Sequence, residues 1–190
     1  MQKRVFMSIS LLVTIGVVIV LVLMYNSLVG KKNQVENIFA SVDTMLKKRY
    51  DLIPNLVASV SKYMEHEKSL LSELTKLRAQ ANKPNVSDTQ KIELDAKMST
   101  ALGSLMIAVE AYPDLKANEN VMHLQRSLNE VEEQISAARR AYNQAVTDYN
   151  NAIEMIPTNI MAQLMRYRRK EVFEIPQNER KNVNVKELFQ

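Results

Sequence analysis

Apolar residues recur along most of this chain in alternating steps of three and four, the spacing that holds one helix face against a partner. The longest run is Val121, Leu124, Leu128, Val131, Ile135, Ala138, Tyr142, Ala145, Tyr149, Ala152 and Ile156, an unbroken seam of five heptads. Between its members lie Glu130, Glu132, Glu133, Arg139, Arg140 and Asp148, which the pattern assigns to a solvated face. Charge reversal at Glu132 should therefore cost within about 0.5 kcal/mol. Pro157 ends this helix, because its ring cannot continue the hydrogen-bond ladder.

A first segment carries the same register through Val35, Phe39, Val42, Leu46, Arg49, Ile53, Leu56, Val60, Tyr63, Glu67, Leu70, Leu74, Leu77 and Ala81. Pro54 lies inside it. Its missing N–H and its clash with the carbonyl of Tyr50 predict a kink. A full reversal at Pro54 is disfavoured, since Tyr50-Asp51-Leu52-Ile53 contains no Gly or Asn to turn the chain. The expectation is one long kinked helix to Ala81. Asn82-Lys83-Pro84-Asn85 reads as a loop, with Ser87 or Asp88 capping the next helix. That helix carries Leu94, Met98, Ala101, Leu105, Ala108 and Tyr112 and ends near Pro113; Asp114 to Asn120 is a turn and a restart. After Pro157, Thr158 can cap a short helix that buries Ile160, Met161, Leu164 and Met165. Short connections make neighbouring helices antiparallel. From Val172 the chain is polar and interrupted by proline, and is expected to be extended or poorly ordered.

The N-terminus follows a different rule. Val5 to Met24 is a run of 20 positions without a charge. At about 1.5 Å per residue it spans roughly 30 Å, the thickness of a hydrocarbon core. Lys3 and Arg4 precede it, and Tyr25 and Asn26 stand at the expected interface. A cleaved signal peptide would have an apolar core of about 7–15 residues and a small-x-small cleavage site. Val22-Leu23-Met24-Tyr25-Asn26 is no such site, and the absence of cysteine removes lipidation. The segment is expected to be an uncleaved anchor. Lys3 and Arg4 favour a cytoplasmic N-terminus with the body outside the cytoplasm, against the contrary pull of Lys31 and Lys32.

Composition narrows the field further. Three glycines in 190 residues argue against Gly-rich β turns and against the phosphate loops of nucleotide-binding folds. A cysteine-free chain has no disulfide, thiolate metal site or cysteine nucleophile. Lys3 and Arg4 are the only charges in the first 27 residues, so the remainder holds 23 basic against 21 acidic residues. That balance offers no footprint for nucleic acid.

Three stretches act together as a signature: Tyr25-Asn26-Ser27-Leu28-Val29 at the membrane exit, KKRYDLIPNLVASVSKYMEHEK at 47–68, and AYNQAVTDYNNAIEMIPTNIMAQL at 141–164. Combined with the anchor, they resemble the LemA family of bacterial membrane proteins over essentially residues 1–165. The block from Arg49 to Leu56 is the most specific part. The tail departs from the pattern, with Arg166-Tyr167-Arg168-Arg169-Lys170 where family members usually show an aromatic and glycine-rich stretch. The resemblance implies a single-pass anchor and an α-helical bundle. It implies no activity and no catalytic residues. One relative takes part in building magnetosome membranes, a loose pointer to a membrane-organising role.

Candidate chemistry is sparse. Glu65-His66-Glu67 contains metal-ligand types, but consecutive helical residues point about 100° apart and cannot converge on one ion. His123 reads as a residue at a helix boundary. No Gly-x-Ser-x-Gly elbow is present. Arg49 falls on the seam, where an ion must be buried and therefore paired. Tyr142 and Tyr149 can pack beneath it, so an Arg–carboxylate or Arg–Tyr contact that fixes helix register is expected. An oligomer or ligand contact is the sharper alternative. The candidate interaction set is Arg49, Tyr50, Asp51, Pro54, Asn55, Tyr142, Asn143, Tyr149 and Asn150. Arg166, Arg168, Arg169 and Lys170 form a candidate membrane-surface contact, worth about 1 kcal/mol per charge against anionic headgroups.

The sequence thus specifies an all-α protein: a transmembrane anchor with a short flank in 1–27, a kinked antiparallel helical bundle over 28–170, and a tail over 171–190. No catalytic residue, cofactor or metal is assigned. The expected function is a membrane-anchored, non-catalytic scaffold or interaction protein of the bacterial cell membrane. The alternatives are a membrane-remodelling or envelope-organising assembly, and a hydrolase or ligand-sensing module. Expected partners are the lipid bilayer, a second copy of the chain, or another envelope protein, and not nucleic acid. Self-association rests on Val35, Phe39, Val42 and Leu46, which a shorter second helix would leave uncovered. Coverage by the third helix is the alternative. The topology is testable, because any introduced cysteine is unique. A single cysteine in the 83–86 loop should react with an impermeant thiol reagent on intact cells or spheroplasts. Labelling only after inner-membrane lysis would reverse the assignment.

Overall fold

The structure, a computed structural model, describes residues 2–173, with side chains described from Phe6 onward. Its elements are α1 (Gln2–Val60), a 3-10 turn (Glu65–Glu67), α2 (Lys68–Ala81), α3 (Asp88–Val109), α4 (Pro113–Lys116), α5 (Glu119–Glu154) and α6 (Thr158–Leu164). No strand occurs among the described residues. Of the expected C-terminal tail, everything after Phe173 lies outside them. The first turns of α1 carry a window of mean hydropathy 2.9 with none of it buried, long and apolar enough to cross a membrane.

The chain divides into two units, and α1 and α5 contribute to both. Unit 1 joins the described residues up to Phe39 with Ala141–Val172; unit 2 joins Ala40–Arg140 with Phe173.

In unit 2, α1 ends at Val60 and the chain turns back through residues 61–67 around the fully buried Met64. α2 returns antiparallel, so that Arg78 near its end reaches Tyr50. α3 runs with α1: Lys91 pairs with Asp43 at 2.8 Å, and Asp95 pairs with Arg49. α5 runs against both, placing Glu132 on Arg49 and Gln125 on Met106. The result is a four-helix up-down-up-down bundle. Its core includes Leu46, Ile53, Leu56, Leu74, Met98, Leu105 and Ile135, all essentially without solvent contact.

The reversal at 61–67 corrects the expectation of one helix to Ala81. A connection of seven residues equals one heptad, so the apolar phase passes through it unbroken. Tyr63, a seam member on paper, is 42% exposed. α1 continues through Pro54, so the chain does not reverse there. Pro54 has no N–H to offer the carbonyl of Tyr50, four residues back. That carbonyl instead accepts a hydrogen bond of 3.1 Å from Nε of Arg78.

Other boundaries follow local chemistry. Ser87 caps α3 in a reciprocal box with Gln90. The buried face of α3 is Asp95, Met98, Ala101, Leu102, Leu105 and Val109: Met98, Ala101 and Leu105 lie where the pattern puts them, while Asp95 and Val109 are buried in place of Leu94 and Ala108. On α5, Val121, Leu128, Ile135, Tyr142 and Tyr149 are buried as the seam requires. A second file of Arg139, Val146 and Ile153 is buried beside it. Arg139 is therefore not on a solvated face.

In unit 1, Phe39 stacks against Tyr142 with ring centroids 5.4 Å apart. The patch expected to stay bare is covered: Val35 is 1% and Phe39 6% exposed in unit 1, and Val42 and Leu46 have no solvent contact in unit 2. Self-association therefore draws no support from these four residues. Thr158 does not cap α6. Its hydroxyl closes the end of α5, 2.6 Å from the carbonyl oxygen of Ala152 and 2.9 Å from that of Met155. Nor does α6 bury the expected face: Ala162 is its buried residue, while Ile160 and Leu164 are exposed.

The Pro54–Arg78 relation predicts a coupled pair. Arg78→Met should orphan the Tyr50 carbonyl and cost about 1–3 kcal/mol. In a Pro54→Ala background residue 54 regains its N–H, and the same substitution should then cost within about 0.5 kcal/mol. Thermal unfolding of the four variants in mild detergent reads the coupling; equal costs in both backgrounds would mean that Arg78 contributes packing alone.

Candidate functional site

Unit 2 contains a closed ring of four charged side chains. α1 supplies Arg49, α3 supplies Asp95, and α5 supplies Glu132 and Arg139. Arg49 pairs with Asp95 and, at 2.6 Å, with Glu132. Arg139 pairs with the other Asp95 oxygen at 2.6 Å and with the other Glu132 oxygen at 3.2 Å. The hydroxyl of Ser99, one turn beyond Asp95, accepts from both guanidiniums at 3.0 and 3.3 Å. Arg49 has no solvent contact, Asp95 is 2% exposed and Arg139 8% exposed, whereas the Glu132 side chain opens partly to water.

Helical spacing explains the assembly. Glu132 and Arg139 are seven residues apart and share a face of α5; Asp95 and Ser99 are four apart and share a face of α3. The two positive and two negative groups cancel, which makes burial tolerable. Burial alone would lower the Arg49 guanidinium, but Asp95 and Glu132 outweigh it and hold it above its ordinary value. Burial pushes the Asp95 carboxyl above the usual range, and Arg49 and Arg139 offset only part of that. The neighbouring Tyr50 phenol is pushed up to about 12 by burial, against an opposing pull from Arg49.

The ring corrects the sequence reading on one point. Glu132 and Arg139 belong to the core network rather than to a solvated face. Arg49 makes the expected Arg–carboxylate contact, with Asp95 and Glu132 as the acids, and its guanidinium also lies 5.9 Å from the ring centroid of Tyr50. Tyr142 packs against Phe39, and Tyr149 lies against Tyr167 with ring centroids 6.0 Å apart. Asp95 was not a candidate. Its signal was an acid one residue after the half-buried Leu94, three before the buried Met98.

The remaining candidates are distributed as follows. Tyr50 is buried, while Pro54 and Asn55 are exposed. Asp51 is exposed and pairs with Lys47 at 3.0 Å. In unit 1, Asn143 is half-buried on α5. The buried side-chain amide of Asn150 grips the backbone of Lys170, accepting from its N–H and donating to its carbonyl, both at 3.0 Å. Arg169 pairs with Glu154, Lys170 lies 4.0 Å from Glu36, and Arg166 and Arg168 are exposed. Glu65, His66 and Glu67 form the 3-10 turn at the α1–α2 corner.

Unit 2 also has an open groove of about 410 Å³ at the α2–α3 loop, lined by Gln80, Lys83, Asn85, Gln90, Glu93 and Lys97. A smaller one of about 260 Å³ lies over Asp43, Tyr50, Asn82 and Lys91. Neither is an enclosed apolar cavity with convergent polar groups, the form of a small-molecule site.

Breaking the ring should be expensive. Asp95→Ala leaves two guanidiniums facing one carboxylate and should cost about 3–5 kcal/mol. Glu132→Lys should cost clearly more than the roughly 0.5 kcal/mol of an ordinary surface change, though less than Asp95→Ala because water screens it. Arg49→Met combined with Asp95→Leu leaves Arg139 paired with Glu132 and should recover most of the loss. Melting temperatures in detergent test the series; a double variant as damaged as the sum of its singles would show that the pair is not coupled.

Comparison with known proteins agrees with this architecture. The family model for the LemA family matches residues 38–186. The chain is 27% identical over 187 residues to Protein LemA of Metamycoplasma hominis, covering 98% of this chain and 85% of that protein. It is 26% identical to Magnetosome protein MamQ 2 of Paramagnetospirillum magneticum, over 88% of this chain and 71% of the relative. It is 23% identical to Magnetosome protein MamQ of Magnetospirillum gryphiswaldense, over 90% and 72%. A family match across most of the chain, on a helical bundle led by an apolar helix, makes this protein a membrane-associated member of the LemA family.

Proposed function

We propose that the protein is a single-pass, non-catalytic scaffold or interaction module, held at the bacterial cell membrane by α1 with its body outside the cytoplasm. The observation that carries this reading is the double use of one helix. The first turns of α1 are bare and apolar, and the same helix then supplies the buried file Leu28, Val35, Val42, Arg49 and Leu56. A neutralised charge ring ties three helices together and pairs both of its carboxylates with guanidiniums, although Nε of Arg49 and Nε of Arg139 are buried without a hydrogen-bond partner. Such a body presents a shaped surface rather than a reactive centre. Its partners on this reading are a second copy or another envelope protein. The likeness to proteins named for the magnetosome favours a second reading, an assembly that organises membrane.

Mass determination on the protein extracted from membranes in mild detergent tests the proposal. A multiple of the 21.8 kDa chain, or a stoichiometric second protein, is the expected result. A single chain with no companion would overturn the scaffold reading, and a closed ring or lattice on liposomes would select the membrane-organising one.

A further inference from the structure

Within unit 1, α5 runs antiparallel to α1 from the Phe39–Tyr142 contact. Tyr167 bridges the next level, stacking on Tyr149 with the Lys32 ammonium 5.9 Å from its ring centroid. Both helices advance about 1.5 Å per residue, so Met155 and Ile156 come level with about Tyr25 and Asn26 of α1. That is where the bare apolar run of α1 ends.

The chain at this level is unusual in two respects. Residues 155–165 contain no charged side chain, in a body rich in charge. Four of their large apolar side chains stand exposed: Met155 at 63%, Ile156 at 83%, Ile160 at 62% and Leu164 at 75%. Ile160 and Leu164 are four apart and share the outer face of α6, while Ala162 is buried against the unit. The next residues are basic: Arg166 and Arg168 are exposed, and Lys31 and Lys32 stand on α1 at the same end. An apolar face edged by cations is the composition of a segment lying in a bilayer interface.

We propose that α6 is a second membrane contact, seated in the interface beside α1. Ile156, Ile160 and Leu164 enter the upper acyl region, and Arg166 and Arg168 meet anionic headgroups. The inference rests on the reading of α1 as the anchor. It selects the bilayer over a second copy, because the patch is continuous with the membrane-crossing end of the same unit. A protein partner there would itself have to lie in the headgroup layer. Two points of attachment then fix the inclination of unit 1 to the membrane plane.

The chain contains no tryptophan, so a single introduced one reports its own surroundings. The full chain is reconstituted in vesicles of phosphatidylcholine and phosphatidylglycerol, and the Ile160→Trp, Leu164→Trp, Val20→Trp and Ile107→Trp variants are compared. Circular dichroism confirms that each is folded. Ile160→Trp and Leu164→Trp should show blue-shifted emission, quenched by lipids brominated near the headgroup. Val20→Trp should be quenched by lipids brominated deep in the chain, and the exposed Ile107→Trp by aqueous acrylamide alone. Acrylamide quenching without lipid quenching at 160 and 164, with Val20→Trp lipid-quenched, overturns the proposal and leaves the anchor standing. Protection of 160 and 164 from both quenchers also overturns it, in favour of a protein partner. A Val20→Trp variant untouched by brominated lipid removes the anchor and this proposal together.

Discussion

Removing the Arg49 guanidinium from water carries a penalty of several kcal/mol, and the residue sits where the heptad pattern calls for an apolar side chain. Its burial is possible because α3 and α5 deliver two carboxylates and a hydroxyl to the same point, and because Arg139 closes the ring. Apolar seams alone specify helix register weakly, since a slip by one heptad brings similar residues together again. A slip of α3 or α5 here would strand a buried guanidinium against aliphatic side chains. The ring therefore selects one alignment of α1, α3 and α5 in unit 2, whatever it adds to net stability.

A second constraint acts on α1 and α2. Proline inside a helix frees a carbonyl, and in an apolar setting that carbonyl requires another donor. Arg78 supplies it from the antiparallel neighbour, which sets α2 against α1 at the level of Tyr50. The block from Arg49 to Pro54 thus contains two structural instructions within six residues. Arg49 addresses α3 and α5, and Pro54, through the Tyr50 carbonyl, addresses α2.

Unit 1 uses neutral contacts for a comparable purpose. Asn150 grips the backbone of Lys170 as a strand neighbour would, and the Tyr149–Tyr167 pair holds the returning segment against α5. The basic cluster is consequently not a freely solvated run: Lys170 is tied by its backbone and Arg169 by Glu154, which leaves Arg166 and Arg168 facing outward. The separation of an uncharged segment from the cations that follow it gives this end of unit 1 its amphipathic character.

The helical class, the long apolar N-terminal helix, the end of α5 before Pro157, the Ser87 cap and the burial of Ile53, Leu56 and Val60 were legible in the sequence, because each depends on periodicity or on the chemistry of one residue with its near neighbours. The need for a partner at Arg49 was legible too. The identity of that partner was not. Asp95 is 46 residues away and Glu132 is 83 away, and several acids could have met Arg49 until the bundle set their levels. The corner at 61–67 was hidden because its length preserves the heptad phase. Glu132 and Arg139 read as surface charges because a charge–charge contact across helices leaves no periodic mark. Tertiary structure decided all of these, since each depends on which faces of distant helices are brought together, and only packing in three dimensions determines that.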